Sequence, residues 1–161
     1  MSRLRQLILL RHAHAEASVG ADIERTLSVL GEAEADAAGD YLAALPGLGA
    51  VDRVVCSNAQ RTRQTATRVL ERMGYVDTRI DARIYEASPG DLLAVLDEHT
   101  EVETLMLVGH NPGLEQLVAL LCSGRSGAFR GMPPAAVAVI RLPDTEVIEP
   151  GCAELSAFWS P

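Results

Sequence analysis

Lysine is missing altogether: the 14 cationic side chains of this 161-residue chain are all arginine. Arginine is the better residue for two-pronged phosphate contact, although a bias across the whole chain is equally a matter of composition. Aromatic residues make up only 4%, so leucine, valine and alanine must fill the core. No apolar run approaches the roughly 18 residues that a bilayer span needs. The basic start, Met1 to Arg5, is followed by an apolar stretch too short for a signal peptide and without a small-residue cleavage pattern, so a cytoplasmic location is expected. Cysteine is scarce as well. Cys56, Cys122 and Cys152 are widely spaced, with no Cys-x-x-Cys pair. That excludes a disulfide framework and a cysteine metal knot, and suits small buried side chains in a reducing compartment. The net charge is -8. No basic surplus is present to neutralise nucleic-acid or membrane phosphates, so neither partner is expected. A phosphorylated substrate stays open, because arginines gathered in a cleft focus a positive field while the outer surface remains acidic.

What the chain does contain is an alternation of short apolar runs and longer amphipathic ones. Hydrophobic content is 48% and charged content 22%, ordinary for a globular protein, and the length favours one domain over 1–161. Gln6 to Leu10 reads as a buried strand, continuously apolar and too short for a helix. His14 to Thr26 is polar and of loop character. Ser28 caps a helix to about Ala44, with its acidic residues on the wet side, and Pro46-Gly47 ends it. Arg53 to Cys56 is a second strand, followed by a helix from Ala59–Arg61 that stops at Gly74. A short strand lies near Arg79-Ile80. Ser88-Pro89 starts another helix, with proline at its first position and Asp91 in its first turn. Thr104 to Val108 is the third buried strand, and Asn111-Pro112 caps the helix behind it. Ser123 to Pro134 reads as a mobile loop, and Ala135 to Leu142 and Ala153 to Trp159 as the last strands. The pattern predicts an α/β fold, a three-layer α/β/α sandwich around a mostly parallel sheet.

Three of these strands end in polar turns that carry arginine or histidine. Leu9-Leu10-Arg11-His12 follows the first, Cys56-Ser57-Asn58-Ala59-Gln60-Arg61 the second, and Val108-Gly109-His110-Asn111-Pro112-Gly113 the third. Ligands of open α/β sheets bind outside the carboxyl ends of the strands, so Arg11, His12, Arg61 and His110 are expected around one point. Cations beside imidazoles suit an anion, phosphate first of all. Leu-Arg-His-Ala at 10–13, Ser-Asn-Ala-Gln-Arg-Thr at 57–62 and Val-Gly-His-Asn-Pro at 108–112 resemble the signatures of the histidine phosphatase superfamily, the phosphoglycerate-mutase-like fold. The short length and the stretch Tyr85 to Leu93 resemble its small bacterial phosphohistidine phosphatases. The likeness spans nearly the whole chain, in the family's order and spacing.

The resemblance implies a phosphatase in which a neutral His12 attacks phosphorus and a phosphohistidine intermediate forms. Arg11 and Arg61 would then clamp the phosphoryl oxygens, and His110, if protonated, would add a charged donor. The helix from Asn111 would aim its N–H groups at the same place. Glu86 corresponds to the carboxylate with which larger members protonate the leaving oxygen; its other reading is a surface glutamate at a helix entrance. Arg25 and Ser18 could reach the phosphate or the substrate body from the loop, or be solvent-exposed. Ser57 could hold the turn that aims Arg61. His12-Ala13-His14 has a metal-like spacing, but no ligand set completes it, so no metal and no cofactor are expected. Ala13 stands where the family often has glycine, and the long insertions over mutase sites are absent, which implies a shallow, open cleft. The substrate expected from the resemblance is phosphohistidine on a partner protein, such as a histidine phosphotransfer domain. The rivals are a small-molecule phosphomonoesterase of the same fold and a noncatalytic phosphate- or phosphoprotein-binding module.

Overall fold

A computed structural model describes residues 2–17, 20–128 and 131–161. Six strands form one sheet: β1 (Gln6–Arg11), β2 (Arg53–Cys56), β3 (Thr78–Ile80), β4 (Thr104–Gly109), β5 (Val137–Arg141) and β6 (Glu154–Trp159). The order across the sheet is β3-β2-β4-β1-β5-β6. The neighbours β3, β2, β4 and β1 are parallel, β5 runs against β1, and β6 against β5. The sheet is thus mixed and mostly parallel.

Four helices cover it: α1 (Val29–Ala44), α2 (Gln60–Met73), α3 (Pro89–Asp97) and α4 (Gly113–Ser123). Side chains alternate across the sheet with the two-residue strand period. Ile8, Leu10, Val54, Cys56, Met106 and Val108 pack with Ala38 and Leu42 of α1 and Ala66 and Val69 of α2. Leu7, Leu9, Val55, Leu105 and Leu107 pack with Leu92 and Leu96 of α3 and Leu114 and Leu117 of α4. Residues of β2, β4 and the middle of β1 are buried on one face or the other, which explains their unbroken apolar runs, whereas the edge strand β3 is exposed. Among the described residues no helix is long and apolar enough to cross a membrane.

The helix ends follow local chemistry. The Ser28 hydroxyl accepts from the Gly31 N–H, and Ser88 and Asp91 form a reciprocal capping box at α3. Gly74 ends α2 with φ 104, a conformation open to glycine. Arg68 of α2 pairs with Glu32 and Asp36, and Arg72 with Asp36 and Asp40. These pairs tie α2 to α1.

One element starts later than its sequence suggests. α4 begins at Gly113, with Pro112 at the cap position, rather than at an Asn111 cap. The Asn111 amide spends its donor on the Met132 carbonyl at 2.8 Å and on Glu115 at 3.1 Å. The stretch read as a mobile loop is anchored at its end by the same contact. Met132 is buried, and its N–H donates to Glu115.

Candidate active site

Strand register brings the site together. Leu10 and Arg11 pair with Val108 and Gly109, and Cys56 pairs with Val108. Three adjacent parallel strands therefore end level, and Arg11, His12, Ser57 and His110 leave the sheet along one edge. Arg61 joins them from the first turn of α2, one turn behind Ser57.

His12 is fixed by its backbone and by its own ring. Its N–H donates to Gly109 O at 3.0 Å, and its carbonyl accepts from Ala135 N–H at 3.1 Å. Ring Nδ1 lies 2.8 Å from the Ala13 carbonyl. A carbonyl only accepts, so Nδ1 carries the proton and Nε2 presents a lone pair. The small residue 13 is buried, and its N–H donates to Thr65 Oγ1 at 3.1 Å. Burial lowers the His12 pKa to about 4, and Arg61, Arg11 and Arg25 push the same way. The imidazole is neutral at pH 7, as attack on phosphorus requires.

His110 stands beside it, with ring centroids 5.2 Å apart. Its Nε2 lies 2.8 Å from Ser57 Oγ. Burial, reinforced by His12 and Arg61, lowers its pKa to about 3. In the free protein this ring is therefore neutral, so the charged donor that depended on protonation of His110 is not in place before an anion arrives. Ser57 does hold the turn, accepting from Ala59 N–H at 3.2 Å, and it also touches His110.

Arg61 is only 7% exposed. It donates to the Asp22 carbonyl at 2.9 Å and to Asp22 Oδ2 at 3.1 Å. Arg11 donates to Met132 O at 2.8 Å. Among the described residues, Nε of Arg11 and Nε of Arg61 are both buried without a hydrogen-bond partner. Two orphaned cationic donors at one strand edge are costly unless an anion completes them.

The sequence reading gave Asp22 and Tyr85 no role, yet both belong to the site. Tyr85 donates its hydroxyl to Asp22 Oδ2, stands edge-on to His110 at 5.4 Å, and lies 5.9 Å below the Arg61 guanidinium. Arg25 donates to Asp22 Oδ1 at 3.1 Å and to Glu16 O. The Tyr85 and Arg25 hydrogen bonds, with Arg61, hold the Asp22 carboxyl far below the usual carboxylate range. No periodic pattern marks these two residues, because both lie in irregular segments; only their closeness to motif residues in the sequence could have flagged them.

The remaining candidates fall as follows. Glu86 is exposed, has φ 56, and lines a cavity of about 350 Å³ with His110, Asn111, Pro112 and Gln116. His14 Nδ1 pairs with Glu34 at 2.8 Å. Among the described residues no group of three or more His, Cys, Asp or Glu stands together as a metal-ion site. Ser18 lies outside the described residues. The start of α4 is less open to an anion than expected: Leu114 N–H goes to His110 O, Glu115 N–H to Asn111 Oδ1, and Pro112 has none.

Comparison with known proteins agrees with this arrangement. Residues 7–106 match the model of the histidine phosphatase superfamily, branch 1. An uncharacterised protein of Mycobacterium tuberculosis is 36% identical over 163 residues, covering 94% of this chain and 99% of the relative. A structure described as phosphohistidine phosphatase SixA of Agrobacterium tumefaciens superposes with a TM-score of 0.83 at 28% identity, covering 98% of this chain and 99% of the other. A SixA structure from Nakamurella multipartitia gives 0.82 at 30% identity, covering 98% and 96%. With its three strand-end motifs meeting at one edge, the chain belongs to branch 1 of the histidine phosphatase superfamily and resembles small SixA-type members along nearly its whole length.

Proposed function

We propose that this protein is a metal-independent phosphatase that transfers a phosphoryl group to His12 and then to water, and that its substrate is phosphohistidine on a partner protein. The observation that carries the reading is the His12 ring, pinned through Nδ1 to the Ala13 carbonyl and neutral, with the Nε2 lone pair left to react.

In the first step Nε2 of His12 bonds to phosphorus, and the bond from phosphorus to the leaving atom breaks with its electron pair. Phosphoryl transfer needs mainly placement and charge neutralisation on the equatorial oxygens. The buried Nε donors of Arg11 and Arg61 supply both in a partly dehydrated cleft. An arriving dianion opposes the burial and the cationic field that keep His110 neutral, so His110 takes up a proton or donates the one it already holds. In the second step water attacks phospho-His12, and inorganic phosphate leaves.

The leaving group decides the substrate class. Imidazole, with a free pKa of about 6.5, leaves without a dedicated acid. The candidate carboxyl, Glu86, is exposed rather than set in the buried site that would keep a proton on it. The relatives described as phosphohistidine phosphatases support the same choice. A second reading, hydrolysis of small phosphoesters, is favoured by Glu86 sharing one cavity with His110. Two measurements separate them. Phosphate release from a phosphohistidine-bearing protein and from an aryl phosphate is measured side by side, with His12→Ala as control. Faster release from phosphohistidine, lost in the variant, is expected; release from the ester alone would move the substrate to small molecules. Glu86→Gln should then slow ester hydrolysis more than phosphohistidine hydrolysis, and equal losses would contradict that division.

A further inference from the structure

Among the described residues, Asp22 is the carboxylate paired with Arg61, one of the two arginines given the phosphate clamp above. A line of contacts leads outward from the reacting ring: His12 to His110 at 5.2 Å, His110 to Tyr85 at 5.4 Å, and the Tyr85 hydroxyl to Asp22. Asp22 stands at the outer end of that line, with 52% of its side chain exposed. Phosphorus must lie at His12, and the leaving group departs in line, away from Nε2.

Three donors from three segments hold the carboxylate there. Arg61 comes from the start of α2, Tyr85 from the turn before α3, and Arg25 from the same loop as Asp22. Asp22 therefore cannot swing aside without releasing two guanidinium groups and a phenol. Oδ2 accepts from Arg61 and Tyr85, and Oδ1 from Arg25, so Oδ1 keeps capacity to accept from a donor on the substrate.

We infer that Asp22 is the specificity-determining residue of this site: its carboxylate, fixed at the rim by Arg61, Arg25 and Tyr85, favours phosphoryl donors whose neighbouring group is a cation or an N–H donor and rejects those carrying a second anion there. An imidazole ring bound to phosphorus fits, since its second nitrogen offers an N–H once it is protonated. A carboxylated phosphoester does not, because it sets two carboxylates face to face. The inference rests on the phosphatase reading above and narrows its substrate class.

Two non-hydrolysable probes of similar size test it: 2-aminoethylphosphonate, with an ammonium, and phosphonoacetate, with a carboxylate. Their dissociation constants are measured by titration calorimetry on the wild-type chain and on Asp22→Asn, with inorganic phosphate as reference. Each charge contact at an exposed rim is worth a few-fold, so the wild type should prefer the ammonium probe by about tenfold beyond their difference in Asp22→Asn. Inorganic phosphate should bind the variant at least as tightly, since a competing anion has left Arg61. The same preference in both proteins would overturn the inference, and so would weakening of all three ligands alike, which marks Asp22 as a support for Arg61 only. Failure of the wild type to bind inorganic phosphate would strike the phosphatase reading itself. Asp22→Glu, which keeps the charge, should restore the preference for the ammonium probe.

Discussion

Replacing Thr65 by valine tests how the site is held. Thr65 is fully buried on α2; its hydroxyl donates to Arg61 O at 2.8 Å and accepts from Ala13 N–H at 3.1 Å. Valine keeps the shape and the branching at Cβ, and its helix propensity is close to that of threonine. The Arg61 carbonyl still accepts within the helix, so the loss falls on Ala13, whose buried N–H is left without an acceptor. Such a group costs about 1–3 kcal/mol. At roughly 2–4 °C per kcal/mol for a chain of this size, Thr65→Val should lower Tm by roughly 2–12 °C. Thr67→Val is the control. It loses the same kind of bond, to Arg63 O at 2.9 Å, but on an exposed face and with no second partner among the described residues, and should stay within about 0.5 kcal/mol. Thermal melts followed by circular dichroism measure both. Turnover adds a second readout: residue 13 carries the carbonyl that orients the His12 ring, so Thr65→Val should lower kcat with little change in KM. Melting of the two variants within about 1 °C of each other would refute the role given to the Ala13 bond.

Two further outcomes follow from the same structure. His12 and His110 have folded-state pKa values lowered by burial to about 4 and about 3; the unfolded chain binds their protons near pH 6.5, so the folded state is fully favoured above that pH and loses stability as pH falls toward 4. The urea midpoint should therefore drop between pH 7 and 4.5, and less steeply in His110→Gln; an equal slope in the variant would contradict a buried neutral His110. Gly113→Ala would place a Cβ 2.4 Å from the Ala87 carbonyl, so it should destabilise by about 1–3 kcal/mol in urea denaturation, and a neutral result would show that the Ala87 segment yields freely.

The parts of the site that were legible in the sequence are those set by regular structure. A buried strand has little freedom in register, so Arg11-His12, Ser57 and His110 were bound to leave the sheet at strand ends, and parallel pairing made those ends level. Arg61 follows because α2 begins one turn behind Ser57. The Ser28 and Ser88 caps were equally local and fell where the hydroxyls stand. What escaped depends on loops meeting at a distance. Asp22 reaches Arg61 across 39 positions and Tyr85 across 63, and no spacing encodes either contact. Asn111 looked like a helix cap because Asn-Pro is a strong local signal; its Oδ1 does accept from the Glu115 N–H at 3.3 Å, but α4 starts one residue later than a cap there implies, and its amide also reaches Met132, 21 positions on, a contact no local signal encodes. The charge state of His110 was open in the sequence for a related reason: burial beside His12 and Arg61, which lowers its pKa, comes from residues far apart along the chain.

The central claim is that His12 carries the phosphoryl group during turnover. The most direct test is to mix the protein with a phosphorus-labelled phosphohistidine substrate, quench within the first turnover, and locate the label by peptide mapping. The proposed mechanism predicts an acid-labile, alkali-stable phosphoryl group on the peptide that contains His12, absent from His12→Ala, which should release no phosphate. Turnover that leaves His12 unlabelled, or that persists in His12→Ala, would contradict it.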